Sequence, residues 1–131
     1  MINPVDVLGL MLWSDIHRNW TVEDVGRLIM PPFNLGQFTF IQGDQVLAFA
    51  SWAFLTPEAE EGFLSGERKL MPEDWNAGDR VWLIDAIAPF GHARKVCRQV
   101  RQTLRDQGHN GHSIKFKREY GGRERFAEVK L

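Results

Sequence analysis

Ser14, His17 and Asp85 are the residues of this 131-residue chain whose type and setting suit proton-transfer chemistry. His17 lies in the polar link Ser14-Asp15-Ile16-His17-Arg18-Asn19-Trp20. Unperturbed histidine titrates near pH ~6.5, so it can act as a general base; a polar link residue on the surface is the plain alternative. Ser14, three residues earlier, fits a helix cap, a hydrogen-bond partner or a site element. Asp85 is the only charged residue within the apolar run Val81–Ala88. A buried carboxylate is costly unless it is hydrogen-bonded, paired with a cation or protonated. Asp85 therefore reads either as a satisfied structural group or as a site residue near the C-terminal end of a central strand, where α/β sheets place ligands.

A second chemical feature follows Gly91. At 100° per residue, Arg94, Arg98, Arg101 and Arg105 fall within roughly 60° of one another on a helix. Val96, Cys97, Val100 and Leu104 take the other side. Guanidinium groups suit phosphate and carboxylate recognition, so the stripe, with Lys95 beside it, reads as a docking surface more readily than as a solvated face. Cys97 is placed with the core and not among nucleophiles. His92, His109 and His112 have no metal-ligand spacing, and no G-x-S-x-G elbow is present.

The surrounding elements must position these groups. Asn3-Pro4 caps a helix expected to run to about Trp13. Thr21 with Asp24 opens a second helix, which Pro31-Pro32 should stop. Gln37–Ile41 and Val46–Phe54 flank Gly43-Asp44 as a hairpin. Residues 56–79 are acidic and broken by glycine and proline, which gives a short helix and loops. Arg80–Ala88 should be a strand buried on both faces, and Ala93 to about Gln107 an amphipathic helix ended by Gly108. Ser113–Lys117 alternates as a strand, and a Gly121-Gly122 turn leads to a short tail, Phe126–Leu131. The order is α-α-β-β-loop-β-α-β. A buried strand, a turn, an amphipathic helix and another strand resemble the central unit of the acetyltransferase-like fold.

Length and composition bound the remaining possibilities. At 131 residues with 44% hydrophobic and 25% charged residues, the chain reads as one packed domain over residues 1–131. One cysteine excludes an internal disulfide framework and a thiolate zinc cluster. No apolar run reaches the roughly 18 residues that span a bilayer, and the N-terminus makes a poor secretory signal. A soluble intracellular protein without stable membrane insertion is expected. The net charge of −1 hides a polarity: residues 1–90 hold 5 Lys/Arg against 13 Asp/Glu, and residues 91–131 hold 11 against 4. The basic end suggests an acidic partner.

Several stretches together resemble the toxin-activating lysine acyltransferases that modify RTX protoxins. They are Trp13-Ser14 with His17-Arg18-Asn19-Trp20, Ala50-Ser51-Trp52-Ala53, Glu73–Arg80, and Trp82-Leu83-Ile84-Asp85-Ala86-Ile87-Ala88-Pro89-Phe90-Gly91, with a fainter match at Tyr120-Gly121-Gly122. The resemblance implies a single-domain α+β, acetyltransferase-like (GNAT-like) fold, a central mixed sheet flanked by helices. It implies transfer of a fatty acyl group from acyl carrier protein to internal lysines of an RTX protoxin. The family's essential histidine and aspartate fall on His17 and Asp85, and its serine on Ser14, with Arg18 and Asn19 supporting. The resemblance further implies a cytoplasmic homodimer with no permanently bound cofactor and no metal, whose donor is the phosphopantetheine-linked acyl carrier protein. The C-terminal part is shorter than the family's pattern.

In chemical terms, a lysine amine is mostly protonated at neutral pH. Transfer from a thioester needs a base for its proton and donors for the oxyanion. His17 fits as base, Asp85 as its orienter, and an acyl-enzyme on Ser14 or His17 is a further route. Arg94, Lys95, Arg98, Arg101 and Arg105 would then meet the acidic carrier protein. Gly91-His92-Ala93-Arg94 lacks a glycine-rich pyrophosphate loop, which favours carrier protein over coenzyme A. Two rivals stand beside this reading: a small acetyltransferase-like enzyme using acyl-coenzyme A, and a non-catalytic basic binding module. Few aromatics accompany the basic helix, so no nucleic-acid partner is expected.

Overall fold

The computed structural model describes residues 2–120 and 123–131. Five strands form one mixed sheet in chain order: β1 (Phe38–Gln42), β2 (Val46–Leu55), β3 (Arg80–Ile87), β4 (Ser113–Tyr120) and β5 (Arg123–Lys130). Neighbours are antiparallel except β3 and β4, which run parallel. A parallel pair needs a crossover, and the helix α5 (Ala93–Asp106) supplies it. Val96, Val100 and Leu104 of α5 are buried against Ala48, Ala50, Trp52 and Val81 on one face of the sheet. The opposite face is covered by α1 (Pro4–Met11), α2 (Val22–Leu28), α3 (Met30–Leu35) and α4 (Pro57–Ser65). The chain is thus a small α+β domain.

Local chemistry explains most of the boundaries. Asn3 accepts from the Asp6 backbone N–H while the Asp6 carboxylate accepts from that of Asn3, and Thr21 and Asp24 repeat the arrangement. Both close helix N-termini with reciprocal bonds. Helix α2 ends at Leu28, just before Pro31-Pro32, as expected, but the two prolines also open a further helix. They occupy the first turn of α3, where the missing N–H groups would have had no partner anyway. Helix α3 therefore follows the expected one and was not read from the sequence. The expected C-terminal tail is instead β5, paired along its whole length with β4 from Ser113↔Lys130 to Tyr120↔Arg123. The Gly121-Gly122 turn lies outside the described residues.

Strand β3 is less enclosed than its apolar sequence suggests. Val81, Trp82 and Ile87 are buried, while Leu83, Ile84, Asp85 and Ala86 are half-buried. The reason lies in its neighbour: β3 and β4 share a single register pair, Trp82↔Lys115. Beyond it the two strands part, and the last residues of β3 lack a strand on that side. The join is clamped by Glu60 of α4. Its carboxylate accepts from the indole N–H of Trp82 (2.7 Å), from Lys115 (3.1 Å) and from Arg80 (3.2 Å). Burial pushes the Glu60 carboxyl up, but the bonds from Trp82 and Lys115 and the charges of Lys115 and Arg80 outweigh it. The group ends below the ordinary glutamate value.

Candidate active site

The link between α1 and α2 is a tight turn. Backbone bonds from His17 N–H to Ser14 O (3.1 Å), Arg18 N–H to Ser14 O (2.9 Å) and Trp20 N–H to His17 O (3.0 Å) wind it. This winding sets the side chains of residues 14 and 17 on one side. The Ser14 hydroxyl lies 2.6 Å from His17 Nδ1. The Trp20 ring packs against the imidazole with centroids 4.7 Å apart. His17 is 4% exposed, so the reading as a surface link residue does not hold.

Asp85 arrives from the sheet. Ser51 pairs with Asp85, but the next pair is Trp52↔Leu83, so β3 carries one extra residue at Ile84. Such a bulge reverses the side-chain alternation beyond it. Val81 and Leu83 pack on the α5 face with Ala86 and Ala88, odd and even positions together. Ile87 accordingly packs on the opposite face. The same reversal turns Asp85 away from α5 and toward the α1–α2 turn. Its Oδ1 lies 2.8 Å from His17 Nε2.

Ser14, His17 and Asp85 thus form one hydrogen-bonded chain. With Asp85 ionised, its oxygen can only accept, so His17 Nε2–H donates to it. Nδ1 then carries the lone pair and accepts from the Ser14 O–H. Burial pushes the Asp85 carboxyl above the ordinary aspartate value, with the hydrogen bond and charge of His17 opposing. Ser14 is the half-exposed end of the chain and His17 its buried middle. The arrangement can draw a proton from the serine oxygen, or from a group bonded to it, into the protein.

The supporting residues divide. Arg18 edges an apolar groove of about 350 Å³ that runs along α1 past Leu8, Leu12 and His17. Its own nearest carboxylate is Asp15, at 3.7 Å. Asn19 is exposed and, among the described residues, makes no hydrogen bond to Ser14, His17 or Asp85. On the other face of the sheet, the parting of β3 from β4 leaves a cleft of about 360 Å³ lined by Leu83, Arg94, Cys97, Arg101 and Ile114. Arg94, Lys95 and Arg98 are exposed. Arg101 is partly covered and donates to the Lys130 carbonyl at 3.2 Å, and Arg105 is also partly covered. Cys97 stands in the cleft wall, half-buried, and burial pushes its thiol up; it is less enclosed than a core residue. Among the described residues no three His, Cys, Asp or Glu side chains gather as metal ligands, and no helix is long and apolar enough to cross a membrane.

Two residues beside the candidate site, Trp20 and Ser51, lie in the matching stretches but are not among the site residues expected from sequence. Trp20 packs its ring against the imidazole of His17 at a tilt of 54°. Ser51 is the pairing partner of Asp85. Its signal was present: it is a polar residue inside the apolar run Val46–Leu55, the same pattern that drew attention to Asp85.

Comparison with known proteins gives the family of the chain. Residues 5–130 match the RTX toxin acyltransferase family. The leukotoxin-activating lysine-acyltransferase LtxC of Aggregatibacter actinomycetemcomitans is 39% identical over 107 residues, covering 78% of this chain and 64% of that protein. The RTX-II toxin-activating lysine-acyltransferase ApxIIC of Actinobacillus pleuropneumoniae is 38% identical, covering 76% and 66%. A protein-lysine myristoyltransferase HlyC of Escherichia coli is 35% identical, covering 79% and 64%. The matched part of this chain therefore spans a little under two-thirds of the length of these relatives. With a match running through nearly all its residues, the chain belongs to the RTX toxin acyltransferase family.

Proposed function

We propose that this protein is a lysine acyltransferase that moves a fatty acyl group from the thioester of acyl carrier protein to internal lysines of an RTX protoxin and so activates it. The observation that carries the reading is the Ser14–His17–Asp85 chain in a member of this family. His17 serves as the base, and Asp85 orients the ring and stabilises the imidazolium that forms. Because His17 is buried with both nitrogens engaged, substrate meets the chain at Ser14. The Ser14 oxygen then either relays the proton of the attacking lysine amine to His17, which returns it to the departing carrier thiol, or itself attacks the thioester, giving its proton through His17 to that thiol, and passes the acyl group from the serine ester to the amine.

The donor approaches from the basic end. We read the fold as acetyltransferase-like, with the parting of β3 and β4 as the gap that admits the phosphopantetheine arm. Arg94 and Arg101 edge the cleft there, and Arg94, Lys95 and Arg98 offer cations to an acidic carrier. The apolar groove along α1 gives an alkyl chain walls beside His17. No cofactor is needed for this chemistry. A homodimer acting in the cytoplasm completes the proposal: Trp13 and Ile16, outside that groove, are each about 70% exposed, a surface that a second copy would cover.

Supplying acyl groups on carrier protein and on coenzyme A in parallel tests the donor. Acylation of an RTX protoxin from the carrier alone supports the proposal. Equal use of acyl-coenzyme A, with no response to carrier protein, moves the assignment to a coenzyme A-dependent enzyme.

A further inference from the structure

Ser51 has a hydroxyl that the fold does not use. Its side chain is completely enclosed, and its Oγ has no hydrogen-bond partner. A buried polar group left unpaired destabilises a fold. The neighbouring strand positions Ala48, Ala50 and Ala53 are alanines, fully buried, so packing gives no reason for an oxygen at position 51. What stands across from it does. Ser51 pairs directly with Asp85 at the start of the bulge. Directly opposed residues hold their Cβ atoms roughly 4.5–5.5 Å apart.

Both side chains also lie on the same face. Ala50 and Trp52 pack on the α5 side, so Ser51 between them faces the α1–α2 side, where the bulge has turned Asp85. His17 engages Oδ1 of that carboxylate, which leaves Oδ2 for a second donor. Rotation about the Cα–Cβ bond of serine is a low barrier and can swing Oγ–H toward it.

We infer that Ser51 is a positioning residue for acyl transfer: its hydroxyl donates to Asp85 as charge develops on His17, and so fixes the carboxylate against the ring. The inference rests on the proposed working pair His17–Asp85. A hydroxyl satisfied only during the reaction explains why an orphaned group persists beside the one carboxylate of this strand. It acts through Asp85 and does not touch substrate.

The test compares the full chain with Ser51→Ala, Ser51→Cys and Asp85→Asn in steady-state transfer from acyl carrier protein to an RTX protoxin, with thermal melts of each. Ser51→Ala should lower kcat about tenfold or more, the size expected for one hydrogen bond to a charged group. KM for both substrates should hold, and Tm should be equal or higher, because the orphaned hydroxyl is gone. Ser51→Cys, a weaker donor of similar shape, should fall between. Wild-type kcat in Ser51→Ala overturns the inference, as does a loss of activity that only tracks a lowered Tm. If Asp85→Asn itself retains wild-type turnover, the working pair fails and the inference falls with it. An inactive Asp85→Asn beside a fully active Ser51→Ala removes the inference and leaves the pair standing.

Discussion

Asp85 stands 2.8 Å from the ring of His17, across 68 positions of sequence, because β3 holds one residue more than the strand it pairs with. Without the extra residue, strict alternation would point Asp85 toward α5 and leave His17 alone on the opposite face. The site is therefore a product of two local irregularities, a hydrogen-bonded turn that presents Ser14 with His17 and a bulge that aims Asp85.

Asp85→Asn separates catalysis from stability. Transfer should fall by several orders of magnitude, since a base without its orienter loses roughly that much. Stability should move the other way. Burial raises the Asp85 pKa in the folded state, so the folded chain binds this proton more tightly than the unfolded chain. The favourable contribution is full below the ordinary aspartate value, near ~3.9, and is lost as pH rises through the raised folded value. The asparagine variant has no such loss. Its stability relative to the wild type should therefore grow with pH across that window, measured by urea melts at stepped pH. A constant difference would contradict the raised value.

Ser14 distinguishes the two routes of transfer. Incubation with acyl carrier protein alone, followed by intact-mass measurement, should show an acyl adduct if serine is the nucleophile, absent in Ser14→Ala. If serine relays a proton, the mass stays unchanged and Ser14→Ala retains a fraction of the activity. A Ser14→Ala variant with full turnover would remove Ser14 from the chemistry.

The exposed cations of α5 should set affinity for the donor and nothing else. Reversal of Arg94 and Arg98 to glutamate should raise KM for acyl carrier protein by tenfold or more while KM for the protoxin holds. Added salt should shrink the difference between variant and wild type, as screening weakens exposed charges. An unchanged donor KM would move the docking surface elsewhere.

Two glycines make opposite predictions for one substitution. A Cβ on Gly78 would lie 2.2 Å from the Leu55 carbonyl oxygen and 2.4 Å from its carbon. The close approach lets the Gly78 N–H donate to Phe54 O at 2.9 Å. Gly78→Ala should cost roughly 1–3 kcal/mol of stability. Gly9, within helix α1, has nothing within 4 Å of an added Cβ; Gly9→Ala should stabilise by about 0.5–1 kcal/mol. Denaturant melts of the two variants check both signs.

Much of this arrangement was legible in the sequence. The lone carboxylate in an apolar strand and the serine three residues before a histidine pointed to residues that the structure joins by hydrogen bonds, and of the arginine face after Gly91 it sets Arg94 and Arg101 along the cleft. Other features were not legible because they depend on distant partners. Pro31-Pro32 reads equally as the end of one helix or the start of the next until α3 is packed under the sheet. The bulge at Ile84 leaves no mark in a run of apolar residues, and it alone decides which face Asp85 joins. Glu60, one acid among many in residues 56–79, gains its role only when Trp82 and Lys115 meet it from two strands. The single register pair between β3 and β4 likewise follows from tertiary packing, and with it the partial exposure of a strand expected to be enclosed.

On the proposed mechanism the Ser14–His17–Asp85 chain transfers an acyl group to lysine. Its most direct test is peptide mass spectrometry of an RTX protoxin incubated with this protein and acyl carrier protein charged with mixed acyl chains, with His17→Ala run beside it. The expected result is acyl masses on internal lysines with the wild type and none with a folded His17→Ala. Undiminished acylation by His17→Ala, or no acylation by the wild type with any chain offered, would contradict the account.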